Sequence, residues 1–274
     1  MVIVDKSKCV GCGLCVKICH EGCITLDEGT VAIHHELCST CTQCIAICPQ
    51  QALSWDQVPP TAFDPASLPS PTQMAELLKE RRSIRFFKAD RLDRALIEEI
   101  VGYGIDAPTN NYALRAIVVD DPALIQELDQ VLVAFVKRIY RLVFKSAFVF
   151  NFLRKFTPAD PKDKVKMEET LERGHAFHHP PAVVSIVGDR RIALTSESAQ
   201  YALYNMVLYA QSRGIGSCRG GASQIFLDRS RTVRERLGLQ KHEHIMGGLG
   251  LGYPAVSFRN KVEGKRIPIQ WNGR

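Results

Sequence analysis

Apolar residues recur along this chain with two different periods, and the switch between them marks its elements. Residues 22–37 carry short alternating pieces on either side of Asp27-Glu28-Gly29, which predicts a hairpin whose second strand is Thr30–His34. From Thr72 the period lengthens. Met74, Leu77 and Leu78 share one face of a helix predicted to run to Arg81, and residues 92–103 form a second amphipathic helix. Ala116–Val119 and Ala182–Val187 are short β-rich runs and predict strands, whereas residues 196–213 read as a long, mostly apolar helix ending at Gly214. Residues 131–156 are apolar and basic throughout. A buried or dimer-facing helix pair, a lid and a membrane-surface helix all satisfy that pattern. Helices and strands mix without strict βαβ alternation, so the expected class is α+β. Residues 58–71 hold five prolines and little periodicity, the composition of a semi-rigid linker, and they divide residues 1–57 from residues 72–274.

The chemistry of the first part lies in its cysteines. Eight of the ten fall into two copies of C-x2-C-x2-C-x3-C: Cys9, Cys12, Cys15 and Cys19, then Cys38, Cys41, Cys44 and Cys48, with Pro49 next. A disulfide framework suits an oxidising compartment and a small secreted chain, and zinc sites usually pair two C-x2-C half-sites across a spacer. Three cysteines in C-x2-C-x2-C, twice over, fit both poorly. The stretch resembles the bacterial two-cluster ferredoxins. That resemblance implies two [4Fe–4S] clusters with crossed ligation, in which the fourth cysteine of each run serves the other cube. One cluster would take Cys9, Cys12, Cys15 and Cys48, the other Cys38, Cys41, Cys44 and Cys19. His20 rather than proline follows Cys19, and Cys23 is an additional thiol, expected to be buried or spare.

Charge sharpens the division. Residues 1–57 hold three lysines and six carboxylates, so of the net +6 the remaining residues carry +9. Such a basic part could meet nucleic acid, but no recognised motif supports that. An acidic electron module beside a body that binds a phosphorylated cofactor explains the sign as well. Residues 1–57 are too few for a large core, so clusters are expected to supply their stability and the apo form to be largely unfolded. No uncharged apolar run reaches the length of a membrane span, and MVIVDKSKCV lacks a signal-like apolar core, so no membrane partner and a cytoplasmic location are expected.

The second candidate site begins at Arg81-Arg82-Ser83-Ile84-Arg85-Phe86. Guanidinium groups and a hydroxyl at a helix end suit a phosphate, although a solvated basic turn would look the same. No G-x-G-x-x-G follows a strand, which argues against a Rossmann nicotinamide domain. Further along come Ala107-Pro108-Thr109-Asn110-Asn111, Gly214-Ile215-Gly216-Ser217-Cys218-Arg219-Gly220-Gly221, Leu249-Gly250-Leu251-Gly252-Tyr253-Pro254 and Lys265-Arg266-Ile267-Pro268. In this order, over about residues 72–274, they resemble the nitroreductase family of FMN-dependent oxidoreductases. With the N-terminal part, the chain resembles a ferredoxin–nitroreductase fusion.

The resemblance implies a central sheet flanked by helices, a homodimer, and FMN at the subunit interface. Arg81, Arg82, Ser83 and Arg85 would hold the FMN phosphate, with Lys265 or Arg266 approaching it. Asn110 or Asn111 would bond the flavin ring, and Gly220 and Gly221 would offer backbone N–H groups near its N5. The asparagine loop is shorter than the family's and lacks its glutamine and proline, so Tyr112 or Arg115 could line the pocket instead. Cys218 is expected to be a small buried residue. His175, His178 and His179 precede Pro180-Pro181, where capping, surface or pocket-edge roles are expected and no metal is assigned. The implied activity is that of an anaerobic iron–sulfur flavoenzyme. It would take electrons from a low-potential donor, a ferredoxin-like protein or NAD(P)H, through the clusters to FMN. FMN would then reduce an electron-poor small molecule such as a nitroaromatic or a quinone. No side chain is assigned a catalytic role, since the flavin carries the chemistry. The alternatives are a flavoprotein relaying electrons to a protein partner, and dehalogenation or ene reduction on the same scaffold.

Overall fold

The computed structural model describes residues 1–108, 113–145, 161–220, 227–264 and 266–272. Asn110, Asn111, Tyr112, Gly221, Lys265 and residues 146–156 of the apolar–basic stretch lie outside them.

The N-terminal unit is built on a duplication. Strand β1 (Val2–Val4) pairs antiparallel with β4 (Leu53–Trp55), which ties the two ends of the unit together. Strands β2 (Ile24–Asp27) and β3 (Thr30–Ile33) form the expected hairpin, with Asp27 opposite Thr30. Its two turn residues, Glu28 and Gly29, have φ of 44° and 81°. Two left-handed residues in succession match the twist of a hairpin, and glycine takes the second at no steric cost. Helices α1 (Leu14–Ile18) and α2 (Gln43–Ile47) are single turns, each leading into the fourth cysteine of its run. The small core joins Val2, Ile24, Val31 and Leu53 to the thiols of Cys15, Cys23 and Cys44.

Ser70 starts helix α3 (Pro71–Glu80): its hydroxyl accepts from Gln73 N–H while Gln73 returns the bond, with proline in the first turn. The helix thus begins one residue before the position periodicity indicates.

The larger part is a four-stranded antiparallel sheet in the order β5 (Leu114–Val119), β6 (Ala182–Asp189), β8 (Glu243–Gly252), β7 (Gly216–Arg219). Strand β6 is buried on both faces, and its alternate residues feed two cores. Ala182, Val184 and Ile186 pack with α4 (Arg94–Gly102) and the long helix α7 (Thr195–Ser212). Val183 and Val187 pack with α5 (Pro122–Ile139) and α8 (Arg231–Arg236) on the other side. A sheet with helices on both faces and antiparallel neighbours is the α+β arrangement the sequence indicates.

Helix α5 starts at Pro122, capped by Asp121, well before the apolar–basic stretch begins. Its buried face, Ile125, Leu128, Leu132 and Val136, follows helical spacing into the core. A π-turn at Tyr140–Phe144 follows, and α6 (Pro161–Arg173) packs back on α5. No helix among the described residues is long and apolar enough to cross a membrane.

Candidate functional site

Each cysteine run is bent by left-handed residues at matching places. Gly11 and Gly13 have φ of 65° and 73°; Thr40 and Thr42, in the second run, have 58° and 60°. A residue of this kind between each successive pair of the first three cysteines turns the chain around a common centre. In glycine the conformation is free, whereas in threonine it is strained, and such strain persists where the surroundings demand it. Gly11 is additionally required by packing, because a Cβ there would stand 2.4 Å from the Gly29 carbonyl oxygen.

Cys15 and Cys44 are buried, Cys9, Cys19, Cys38 and Cys48 half-buried, and Cys12 and Cys41 exposed. A small cavity is lined by Cys19, Cys38, Cys41 and Cys44, which is the crossed set expected for one cluster, together with Cys23. Cys12 and Cys48, two further members of the other expected set, lie close to Cys15. Burial pushes the Cys44 thiol up to about 11, with Cys41, Cys38 and Cys15 adding to the effect. Thiols so placed hold their protons until a cation replaces them. Backbone N–H groups already point at sulfur: Thr40 to Cys38 at 3.4 Å and Ala52 to Cys48 at 3.3 Å. Four soft donors lining one cavity have the chemistry of an iron–sulfur ligand set. Among the described residues no group of three or more His, Cys, Asp or Glu side chains is arranged to hold a single metal ion.

The arginine segment is extended and held from both sides. Ile84 N–H donates to Ser217 O at 2.9 Å, Lys88 N–H to Tyr253 O at 2.8 Å, and Ala255 N–H to Phe86 O at 2.9 Å. Residues 83–88 therefore run between β7 and the segment after β8. Ile84 is buried against Gly216, where an added Cβ would come within 2.8 Å of it. Alternate residues of an extended chain share a face, so Arg81, Ser83 and Arg85 lie together, opposite Ile84. Among the described residues neither Arg81 nor Arg85 is paired with a carboxylate. Two unpaired guanidinium groups flanking a hydroxyl suit a phosphate dianion. Arg82 turns the other way: its Nη1 donates to Lys79 O at 2.6 Å and to Arg81 O at 2.8 Å, closing the end of α3.

Around Arg85 stand two groups that its charge reaches. His178 is held below its usual value by burial and then by Arg85. Burial pushes the Cys218 thiol up while Arg85 pulls it down. His178 and His179 both adopt left-handed backbone, φ 62° and 52°, and His179 does so directly before a proline, where sterics favour extended backbone. Asp129, on α5, holds this turn by accepting from Ala176 N–H and Phe177 N–H, each at 2.8 Å. Pro180 and Pro181 then lie on β8, where a Cβ at Gly250 would meet Pro180 at 2.9 Å and one at Gly252 would meet Pro181 at 2.5 Å. The glycines of Leu249–Pro254 are thus explained by close approach. The histidine turn stands where the sequence marks His175, His178 and His179 ahead of two prolines, whereas Asp129 carries no sequence signal of its own.

Gly220 corrects one expectation. Its N–H donates to Gly248 O at 3.1 Å as a continuation of the sheet, and so is not free for a ligand. Beyond β8, Lys261 pairs with Glu76 and Glu263 with Lys79, which lays the C-terminal segment along α3. Arg266 is exposed. Arg115 forms a two-point ion pair with Glu243, with nitrogen–oxygen distances of 3.0 and 2.7 Å.

Known proteins bear on both parts. Residues 8–58 match the model of the 4Fe-4S dicluster domain, and residues 78–253 that of the nitroreductase family. An NADPH-dependent oxidoreductase of Staphylococcus saprophyticus is 28% identical over 199 residues, 71% of this chain and 69% of that protein. A component of the ion-translocating oxidoreductase complex of Methanosarcina acetivorans is 44% identical over 45 residues, 16% of this chain, and the chain spans only 17% of that protein's length. The crystal structure of a nitroreductase with bound FMN from Desulfitobacterium hafniense superposes with a TM-score of 0.55 at 20% identity, over 72% of this chain and 97% of that one, and so shares the fold. The family match runs from the last turn of α3 to the residue after β8, more than half of the sequence, and the chain belongs to the nitroreductase family of oxidoreductases, with a 4Fe-4S dicluster domain joined ahead of it.

Proposed function

We propose that the chain is an iron–sulfur flavoprotein reductase that accepts electrons one at a time and delivers them in pairs to an electron-poor small molecule. The single observation that carries this is the meeting, in one chain, of the thiol-lined cavity with an unpaired Arg–Ser–Arg face on a nitroreductase fold. When bound, the clusters would supply one-electron transfer, and FMN, the group bound in the Desulfitobacterium nitroreductase, would supply two-electron reduction of the substrate.

The chain's own residues have separate tasks. Cys9, Cys12, Cys15 and Cys48 would hold one cube, and Cys38, Cys41, Cys44 and Cys19 the other. Arg81, Ser83 and Arg85 would bind the FMN phosphate, with Lys265 or Arg266 closing on it. Asn110 or Asn111 and the Gly221 N–H would orient the ring. Residues 1–57 form the electron module, 58–71 the linker and 72–274 the reductase body. A homodimer is supported by the apolar C-terminal segment, where Ile267, Ile269 and Trp271 stand largely exposed. The donor is a low-potential one-electron carrier, with NAD(P)H as the second reading, favoured by the NADPH dependence of the staphylococcal relative.

Iron, sulfide and released flavin in one anaerobic preparation test the proposal. About eight irons and one FMN per chain are expected. Iron without flavin would leave only a ferredoxin-like carrier, and flavin with zinc would make the N-terminal unit structural.

A further inference from the structure

Cys23 is the thiol that the two cysteine runs do not use, yet it lies against them. Its Sγ is 3.4 Å from Cys19 Sγ, within hydrogen-bonding range for sulfur. Its side chain is 2% exposed and lines the same cavity as Cys19, Cys38, Cys41 and Cys44. The position is fixed by backbone: residue 23 leads directly into β2, and its carbonyl accepts from His34 N–H at 2.8 Å, at the end of β3. The tenth cysteine, Cys218, is on β7, so the other crossed set has no fifth thiol of this kind.

We propose that Cys23 is a positioning residue that donates an S–H···S hydrogen bond to the iron-bound Cys19 thiolate and thereby raises the reduction potential of one cluster above that of its twin. This rests on the cluster reading above. Once Cys19 ligates iron as a thiolate it has no proton to give, so across the 3.4 Å contact only the Cys23 S–H can be the donor. Reduction adds negative charge that is shared with the ligand sulfurs. A donor at one of them therefore favours the reduced state, and hydrogen bonds to sulfur are among the determinants of cluster potential. Each set already has a backbone donor, Thr40 N–H to Cys38 in one and Ala52 N–H to Cys48 in the other. The thiol therefore adds an asymmetry between two sites that the duplicated sequence makes otherwise alike. The electron module then has an internal direction, from the cluster without the donor to the cluster with it.

The test is EPR-monitored redox titration of the full-length holoprotein, with iron counted in the same samples, for the unmodified chain, Cys23→Ala and Cys23→Ser. In Cys23→Ala the reduced-to-oxidised ratio of one cluster at fixed potential should fall about tenfold, a midpoint lower by about 59 mV for one electron, while the other cluster stays in place. Cys23→Ser keeps a donor and should restore at least part of the difference. Unchanged midpoints in Cys23→Ala with iron still near eight per chain would overturn the role of Cys23 and leave the clusters standing. Loss of one cube's iron in Cys23→Ala would overturn it in favour of Cys23 as a ligand. An unmodified protein without the full iron complement would overturn the cluster reading on which it depends.

Discussion

At the scale of single residues, the site depends on a few side chains that hold backbone in conformations it would not otherwise keep. Asp129 is the plainest case. Only 7% exposed, it spends one carboxylate oxygen on two consecutive N–H groups and so fixes the turn that carries His178 and His179 in left-handed backbone beside Arg85. Replacing it with alanine leaves both donors without a partner in a half-buried place, at a cost of about 3 kcal/mol. Chemical denaturation of Asp129→Ala should show a loss of that order, and the affinity for FMN should weaken with it. A stability unchanged within error would mean that the turn is held by Pro180 and Pro181 alone. Asp129 is not legible in the sequence. A lone aspartate on an amphipathic helix reads as solvent-facing, and only the fold brings residues 176 and 177 to it.

At the scale of elements, legibility follows how local each cause is. The hairpin at Ile24–Ile33 is readable because its turn chemistry and alternation lie within ten residues. The cysteine runs are readable because their spacing is a local property, and Cys19, Cys38, Cys41 and Cys44 come together along one cavity. Helices α4 and α7 are readable from their apolar period. Strand β8 is visible only as a glycine motif, because four glycines in ten residues argue against a strand by propensity. What makes it a strand is non-local: β6 and β7 pair with it on either side, and Pro180, Pro181 and Phe87 occupy the space where side chains would stand. Two substitutions separate these causes. Gly252→Ala places a Cβ 2.5 Å from Pro181 and 2.8 Å from Phe87. It should cost about 1–3 kcal/mol, as overpacking does, and displace the arginine segment that Phe87 anchors. Gly102→Ala, near the end of α4 with open space around its Cα, should be neutral or stabilising by up to about 1 kcal/mol. Thermal unfolding of the two variants in parallel checks the pair. Equal effects would mean that the contacts at Gly252 yield without cost.

At the scale of the whole molecule, the chain joins a small unit whose core mixes apolar side chains with cysteines to a larger part with two apolar cores of its own, with a proline-rich segment between them in the sequence. The charges are unevenly divided as well, a net −3 in residues 1–57 against +9 in the remainder. That division would favour a cationic one-electron donor at the first and a polyanionic nicotinamide at the second. On the function proposed above, the two parts would offer two routes for electrons, of which one would pass the cysteines. Cys41→Ser removes an exposed cysteine of the second run, a proposed cluster ligand, without touching a core residue. With a reduced viologen as donor, turnover of a nitroaromatic should fall by about tenfold or more, because the acceptor loses a donor that tethering keeps at high effective concentration. With NADPH in the same buffer, any turnover the unmodified protein shows should stay within about twofold, because hydride transfer in the body needs no cube. A parallel fall with both donors would mean that the N-terminal unit supports the body's structure and is no electron path. No fall with viologen would mean that small donors reach the flavin directly, and the reason for joining the two parts would then lie with a protein donor that reads the acidic surface of the first.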